Sequence, residues 1–111
     1  MNELIVNIDF TNRIPNILSM VRENYEKVTE LRKFKIIKIP YHVSFTENHG
    51  RIVDDAKEVF VSLTKELGLY DFIRRISVEM VNNKGVPEIK ISIEWKEDKR
   101  SDMQTYQRKM F

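Results

Sequence analysis

From Gly50 to Ile76 the chain reads GRIVDDAKEVFVSLTKELGLYDFIRRI, and the other elements must fold around this stretch. Val53, Ala56, Phe60, Leu63 and Leu67 recur at the spacing that gathers side chains on one face of an α-helix. Asp54 and Asp55 fall in its first turn, where the helix dipole favours negative charge. Gly68 stands where helices commonly close on a left-handed residue, and Leu69 to Phe72 form the exit turn.

The flanking segments alternate or recur at their own periods. Leu4, Val6, Ile8 and Phe10 alternate with Glu3, Ile5, Asn7 and Asp9, the pattern of a half-buried strand. Thr11 and Asn12 suit a helix cap and Pro15 a first turn. Beyond them Ile14, Ile17, Leu18, Val21, Tyr25, Val28 and Leu31 make a helical stripe. Arg22 with Glu26 and Glu23 with Lys27 sit at supporting spacings on the other side, as on an ordinary solvated helix face. Phe34 to Phe45 reads as a second strand, with Ile37, Ile39, Tyr41, Val43 and Phe45 on one side. Pro40 cannot donate to a ladder, so this strand is expected at an edge or with a bulge. Thr46 to Gly50 forms a polar connection. Ile73–Asn82 and Glu88–Lys96 alternate as strands, with Ile76, Val78 and Met80 apolar in one and Ile89, Ile91, Ile93 and Trp95 in the other. Asn82-Asn83-Lys84-Gly85 supplies the positive backbone angles of a hairpin turn.

The order β-α-β-α-β-β predicts an α+β fold: a mixed sheet of about four strands, two helices on one face, and the other face polar or used by a partner. A single domain is expected over residues 1–96, followed by a polar tail or short helix over 97–111 in which Met103, Tyr106 and Met110 share a stripe. With 41% hydrophobic and 32% charged residues the 111-residue chain is of globular composition. No apolar run has the length of a membrane span and the start lacks signal-peptide flanks, so a cytoplasmic location is expected. The absence of cysteine excludes disulfides, thiolate metal sites and a cysteine nucleophile. A net charge of +2 supports nucleic-acid binding only if the positive charge is concentrated on one face.

Chemistry-bearing motifs are few. His42 and His49, with Glu47 between them, fall short of a metal-ligand set, and there is no Gly-rich phosphate loop or HExxH motif. Asp54 and Lys57 lie three apart on the central helix, and Asp71 returns after it. Carboxylates brought together from the two ends of a helix can hold magnesium, and a lysine beside them can steady a phosphate. The plainer alternative is that the aspartates cap the helix and Lys57 is solvated. Arg51, Lys57, Arg74 and Arg75, with Lys38 on the second strand, are the candidate DNA-binding cations. Arg74 and Arg75 equally suit a strand edge guarded by charge against aggregation.

The block from Lys57 onward resembles the C-terminal half of RusA-type Holliday junction resolvases, small dimeric endonucleases common in phages and prophages. That family carries D-x-D-N-x-x-K at a helix start, then an apolar helix, an acidic DD turn and a hairpin. Here Lys57 matches the motif lysine, Phe60 and Leu63 the apolar helix, Asp71 the first residue of the turn, and ISVEMVNNKGVPEIKISIEW the hairpin. The motif asparagine falls on Asp54, its aspartates on Val53 and Arg51, and the second turn aspartate on Phe72. The resemblance implies a RusA-like homodimer that binds branched or double-stranded DNA and serves recombination and repair. It also implies a magnesium-dependent endonuclease site in which Asp54, Asp71 and Lys57 are catalytic and Asp54, Asp55 and Asp71 hold the metal. The substitutions imply an altered or lost active site, with Arg51 favouring a held phosphate over a bound metal. The other expectation is an inactive phage-type accessory protein that acts on a host protein through its exposed helix face and tail.

Overall fold

The computed structural model describes residues 3–11, 15–46 and 50–96. Its elements run β1 (Glu3–Ile5), α1 (Ile17–Glu23), α2 (Tyr25–Val28), β2 (Ile36–Ile39), α3 (Ile52–Glu66), β3 (Ile73–Asn83) and β4 (Val86–Trp95). The strands form one mixed sheet in the order β1-β2-β4-β3, with β1 parallel to β2 and both other pairings antiparallel. The expected α+β class and four-stranded mixed sheet are therefore present, with three helices among the described residues rather than two.

Register explains which side chains are buried. Met80 opposes Ile89, Val78 opposes Ile91 and Ile76 opposes Ile93, so these pairs share one sheet face. Ile37 and Ile39 join them through Ile91 and Ile89. That face shares a single apolar cluster with Met20, Val28, Ala56, Val59, Phe60 and Leu63. The opposite face carries Glu3, Lys38, Glu88, Lys90, Arg75, Ser77, Glu79 and Glu94 with Ile5, Ile36 and Val81 among them, and is mostly polar.

The N-terminal alternation holds over its whole length: Leu4, Val6, Ile8 and Phe10 are buried while Ile5, Asn7 and Asp9 are exposed. The ladder, however, stops at Ile5, with one further bond from the Val6 amide to the Lys38 carbonyl at 3.0 Å. Pro40 is the cause. It ends β2 at Ile39, so β1 has no amide to pair with beyond that point. β2 is accordingly a short internal strand, neither edge nor bulged. Residues 43–45, expected to continue it, form a 3-10 turn that leaves Tyr41 and Val43 exposed and buries Ser44 and Phe45.

The first helix also departs from expectation. It is capped by Asn16, whose Oδ1 accepts from the Ser19 amide at 2.9 Å, with Pro15 just ahead of the cap. Of the expected caps and stripe, Asn12 and Ile14 lie outside the described residues, as does the 97–111 tail. Asn24 (φ −120°, ψ 28°) breaks the helix, its side-chain amide donating to the Met20 carbonyl at 3.0 Å. Within α1 Met20 is buried while Leu18 is 57% exposed, and past the break Tyr25 is 61% exposed.

The central helix ends as its sequence predicts. Gly68 has φ +73°, the Leu69 amide donates to the Thr64 carbonyl at 2.8 Å, and the Gly68 amide donates to the Lys65 carbonyl at 3.1 Å. This is the paired closure of a Schellman motif. The hairpin is closed by Lys84 and Gly85, both at positive φ (55° and 86°), a two-residue type I′ loop whose twist matches the strands.

Candidate functional site

The apolar positions 73, 76, 78 and 80 are spaced three, two and two apart, so a regular strand could not turn all four to the core. A β-bulge resolves this. Ile73 opposes Trp95 and Arg75 opposes Glu94, leaving Arg74 as the extra residue. The bulge places two consecutive arginines, both exposed, at the start of β3.

Beside it lies an open cleft of about 300 Å³ between α3 and β3, lined by Lys57, Val61, Tyr70, Asp71, Ile73, Arg74, Arg75, Ile76 and Lys96. Lys57, Arg74, Arg75, Lys96 and Asp71 thus border a cleft whose apolar lining is Val61, Ile73 and Ile76. The rim is braced by bonds that sequence spacing does not suggest. The Lys96 amide donates to the Phe72 carbonyl at 2.8 Å, and Arg32 donates to the Lys96 carbonyl at 3.0 Å. The Arg32 guanidinium stacks 4.4 Å from the Phe72 ring centre and 5.7 Å from that of Trp95. Lys65 approaches the Tyr70 ring at 5.0 Å. Arg75 faces Glu94 at 3.7 Å, but both side chains are more than half exposed, so the pair is weak and leaves Arg75 open to another anion.

The expected site residues separate into two groups. Lys57, Asp71 and Arg74 line the cleft together, and Arg75 borders it from β3 while facing Glu94 on the polar side of the sheet. Arg51 is exposed at the cap position of α3, outside the cleft lining. Lys38 does not join the basic surface. It lies on the polar face of the sheet, 3.8 Å from Glu3 and 3.9 Å from Glu88, with its charge already met by carboxylates. Lys96, Arg32 and Tyr70 were not among the expected residues. Their one sequence signal is the hairpin turn, which brings residues 73–75 opposite the end of β4.

The acidic residues lie at opposite ends of α3. Asp54 is exposed, whereas the next residue, Asp55, is 1% exposed and engaged by an interaction within the fold. Asp71 lies on the turn beyond the far end of the helix. Among the described residues no three His, Cys, Asp or Glu side chains form a metal-ligating group; His49 and Glu47 lie outside them.

A second polar cluster joins the end of the β1 segment to the turn after β2. Ser44 Oγ accepts from the Phe10 amide at 2.9 Å and lies 2.8 Å from His42 Nδ1, which also accepts from the Ser44 amide at 3.0 Å. Asp9 Oδ1 is 3.9 Å from the same nitrogen. This is not a nucleophilic triad: serine and aspartate share one ring nitrogen, and Ser44 is fully buried. Its geometry is that of a structural clasp. Hydrogen bonds from the Thr11 hydroxyl and amide, with a smaller contribution from His42, hold the Asp9 carboxyl below its ordinary value.

Compared with family models, curated proteins and solved structures, the chain matches none. Among the described residues no helix is long and apolar enough to cross a membrane.

Proposed function

We propose that the protein binds the phosphate backbone of duplex or branched DNA through the α3–β3 cleft. The observation that carries this reading is that Lys57, Arg74 and Lys96 border one cleft from a helix, a bulged strand and a strand end, with Arg75 at its edge and Asp71 the one acid among the lining residues. Flexible cations over an open surface suit phosphates spaced along a strand and do not read base sequence. The braced Tyr70, Phe72 and Arg32 rim adds faces on which an unstacked base at a junction can rest. The RusA resemblance points to the same ligand class. The reading is one of binding: Lys57 and Asp71 share the cleft, but no cleavage step is derived from them.

The test is a titration of a synthetic four-way junction and of matched duplex, with and without magnesium, followed by gel retardation and by strand cleavage. Retardation that weakens steeply with salt is expected. No retention at low salt would sink the proposal, and magnesium-dependent paired nicks would extend it to a resolvase.

The alternative, a protein-interaction module, is favoured by a separate observation. Among the described residues β3 is the outermost strand of its sheet, eleven residues long, with Met80 39% exposed. A long free edge of this kind is suited to pairing with another chain.

A further inference from the structure

The two edges of the sheet are treated differently. β1 is three residues long, and Lys27 Nζ donates to its Ile5 carbonyl at 3.2 Å, occupying an edge acceptor. β3 is eleven residues long, and among the described residues no strand pairs with its outer side.

Which of its backbone groups face outward follows from the ladder. The type I′ turn makes Asn83 and Val86 a hydrogen-bonded pair, and pairs then alternate back along the hairpin. Pro87 therefore falls at a non-bonded position opposite Asn82, where its missing amide costs the β3–β4 ladder nothing. The alternation is corroborated at the far end. The Ile93 amide donates to the Lys35 carbonyl at 2.8 Å, away from β3, so Ile93 and Ile76 form a non-bonded pair. Ile76, Val78 and Met80 consequently turn their N–H and C=O groups to the free edge.

From this we infer that β3 pairs with β3 of a second copy of the chain, antiparallel, about a two-fold axis at Ser77. Three features select that register. Ile76 then exchanges backbone bonds with Val78 of the second copy, and both residues have outward-facing groups. Their half-buried side chains meet on the core side, continuing the apolar face across the join. On the polar face Arg75 stands opposite Glu79 of the second copy, and symmetry makes this contact twice. A register centred on Val78 keeps the backbone match but sets Arg75 against Val81. A register shifted by a single residue would oppose outward-facing with inward-facing backbone groups. Only the Ser77 register aligns both charge and hydrogen bonding.

The axis runs perpendicular to the sheet, so both helical layers lie on one side. The two Arg75 positions are then separated along the strands by four residues, roughly 14 Å. The pairing itself does not rest on the DNA reading.

The chain contains no cysteine, which makes the test direct. Ser77→Cys places one thiol on the axis, at the close Cα separation of a non-bonded pair, and an interchain disulfide is expected under mild oxidation. Val78→Cys, off the axis, is expected to cross-link far less. Sedimentation of the unmodified chain should give a dimer. R75E and E79R should each raise its dissociation constant about tenfold, and the double variant R75E/E79R should restore it, with circular dichroism confirming that each variant folds. A monomer at all concentrations, a dimer indifferent to both charge reversals, a failure of the double variant to recover, or V78C cross-linking ahead of S77C would overturn the proposal.

Discussion

The amide of Phe10 donates to the hydroxyl of Ser44 at 2.9 Å, joining residues 34 apart in sequence at a point where the serine is fully buried. Because β1 runs out of ladder partners at Pro40, this side chain replaces the backbone acceptor that a longer β2 would have supplied. Ser44→Ala should therefore destabilise the fold by about 1–3 kcal/mol, the cost of stranding a buried amide. Denaturant unfolding with an unchanged m-value would check it. A loss below a few tenths of a kcal/mol would show that the clasp is dispensable.

The same clasp gives an acid limb to stability. Thr11 and, to a lesser degree, His42 favour the charged form of Asp9, so its folded pKa lies below the ordinary 3.8. A depressed carboxylate contributes stability above its unfolded pKa and loses it as pH falls through the folded value. Melting temperature should fall as pH drops below about 4, and Asp9→Asn should flatten that limb by lowering stability at neutral pH to the level reached in acid. An unaltered limb in the variant would assign the acid sensitivity to other carboxylates.

Gly68 closes α3 at φ +73°, with open space where a Cβ would stand. The cost of Gly68→Ala is thus backbone strain alone, about 1 kcal/mol, and Gly68→Asn should cost less because asparagine tolerates the left-handed region. Equal stability of all three proteins in chemical denaturation would contradict the observed cap.

On the cleft, Arg74→Ala with Arg75→Ala should lower DNA affinity and reduce the slope of log affinity against log salt by about 2. Lys38→Ala, on the opposite sheet face and already between Glu3 and Glu88, should leave both unchanged. Binding titrations over a salt series distinguish them. An effect from Lys38 equal to that of the arginine pair would relocate the interface.

How far these features were legible in the sequence depends on the range of the interaction behind them. The hairpin turn, the Schellman closure at Gly68 and the alternation from Leu4 to Phe10 rest on local backbone preference and side-chain period, so they can be read directly. The extent of the first helix and the length of β2 could not be read so simply. A polar Asn24 within the stripe competes with the helix through its own hydrogen bond, and Pro40 acts on β1 through a partner strand remote in sequence. Lys57, Asp71, Arg74 and Arg75 were nameable as residue types, yet their placement around one cleft depends on the bulge at Arg74, and that bulge exists only to keep Ile73 and Ile76 on one face.

The sequence by itself determined element order, turn chemistry and the apolar face of each strand, because these follow from contacts within a few residues. Tertiary structure alone decided which charges belong together. It buried Asp55 beside an exposed Asp54, sent Lys38 to the far face of the sheet, and brought Lys96 and Arg32 to the cleft rim. The physical reason is that a charge is placed by the packing of the apolar residues around it, and that packing is settled only when the sheet and helices close on one core.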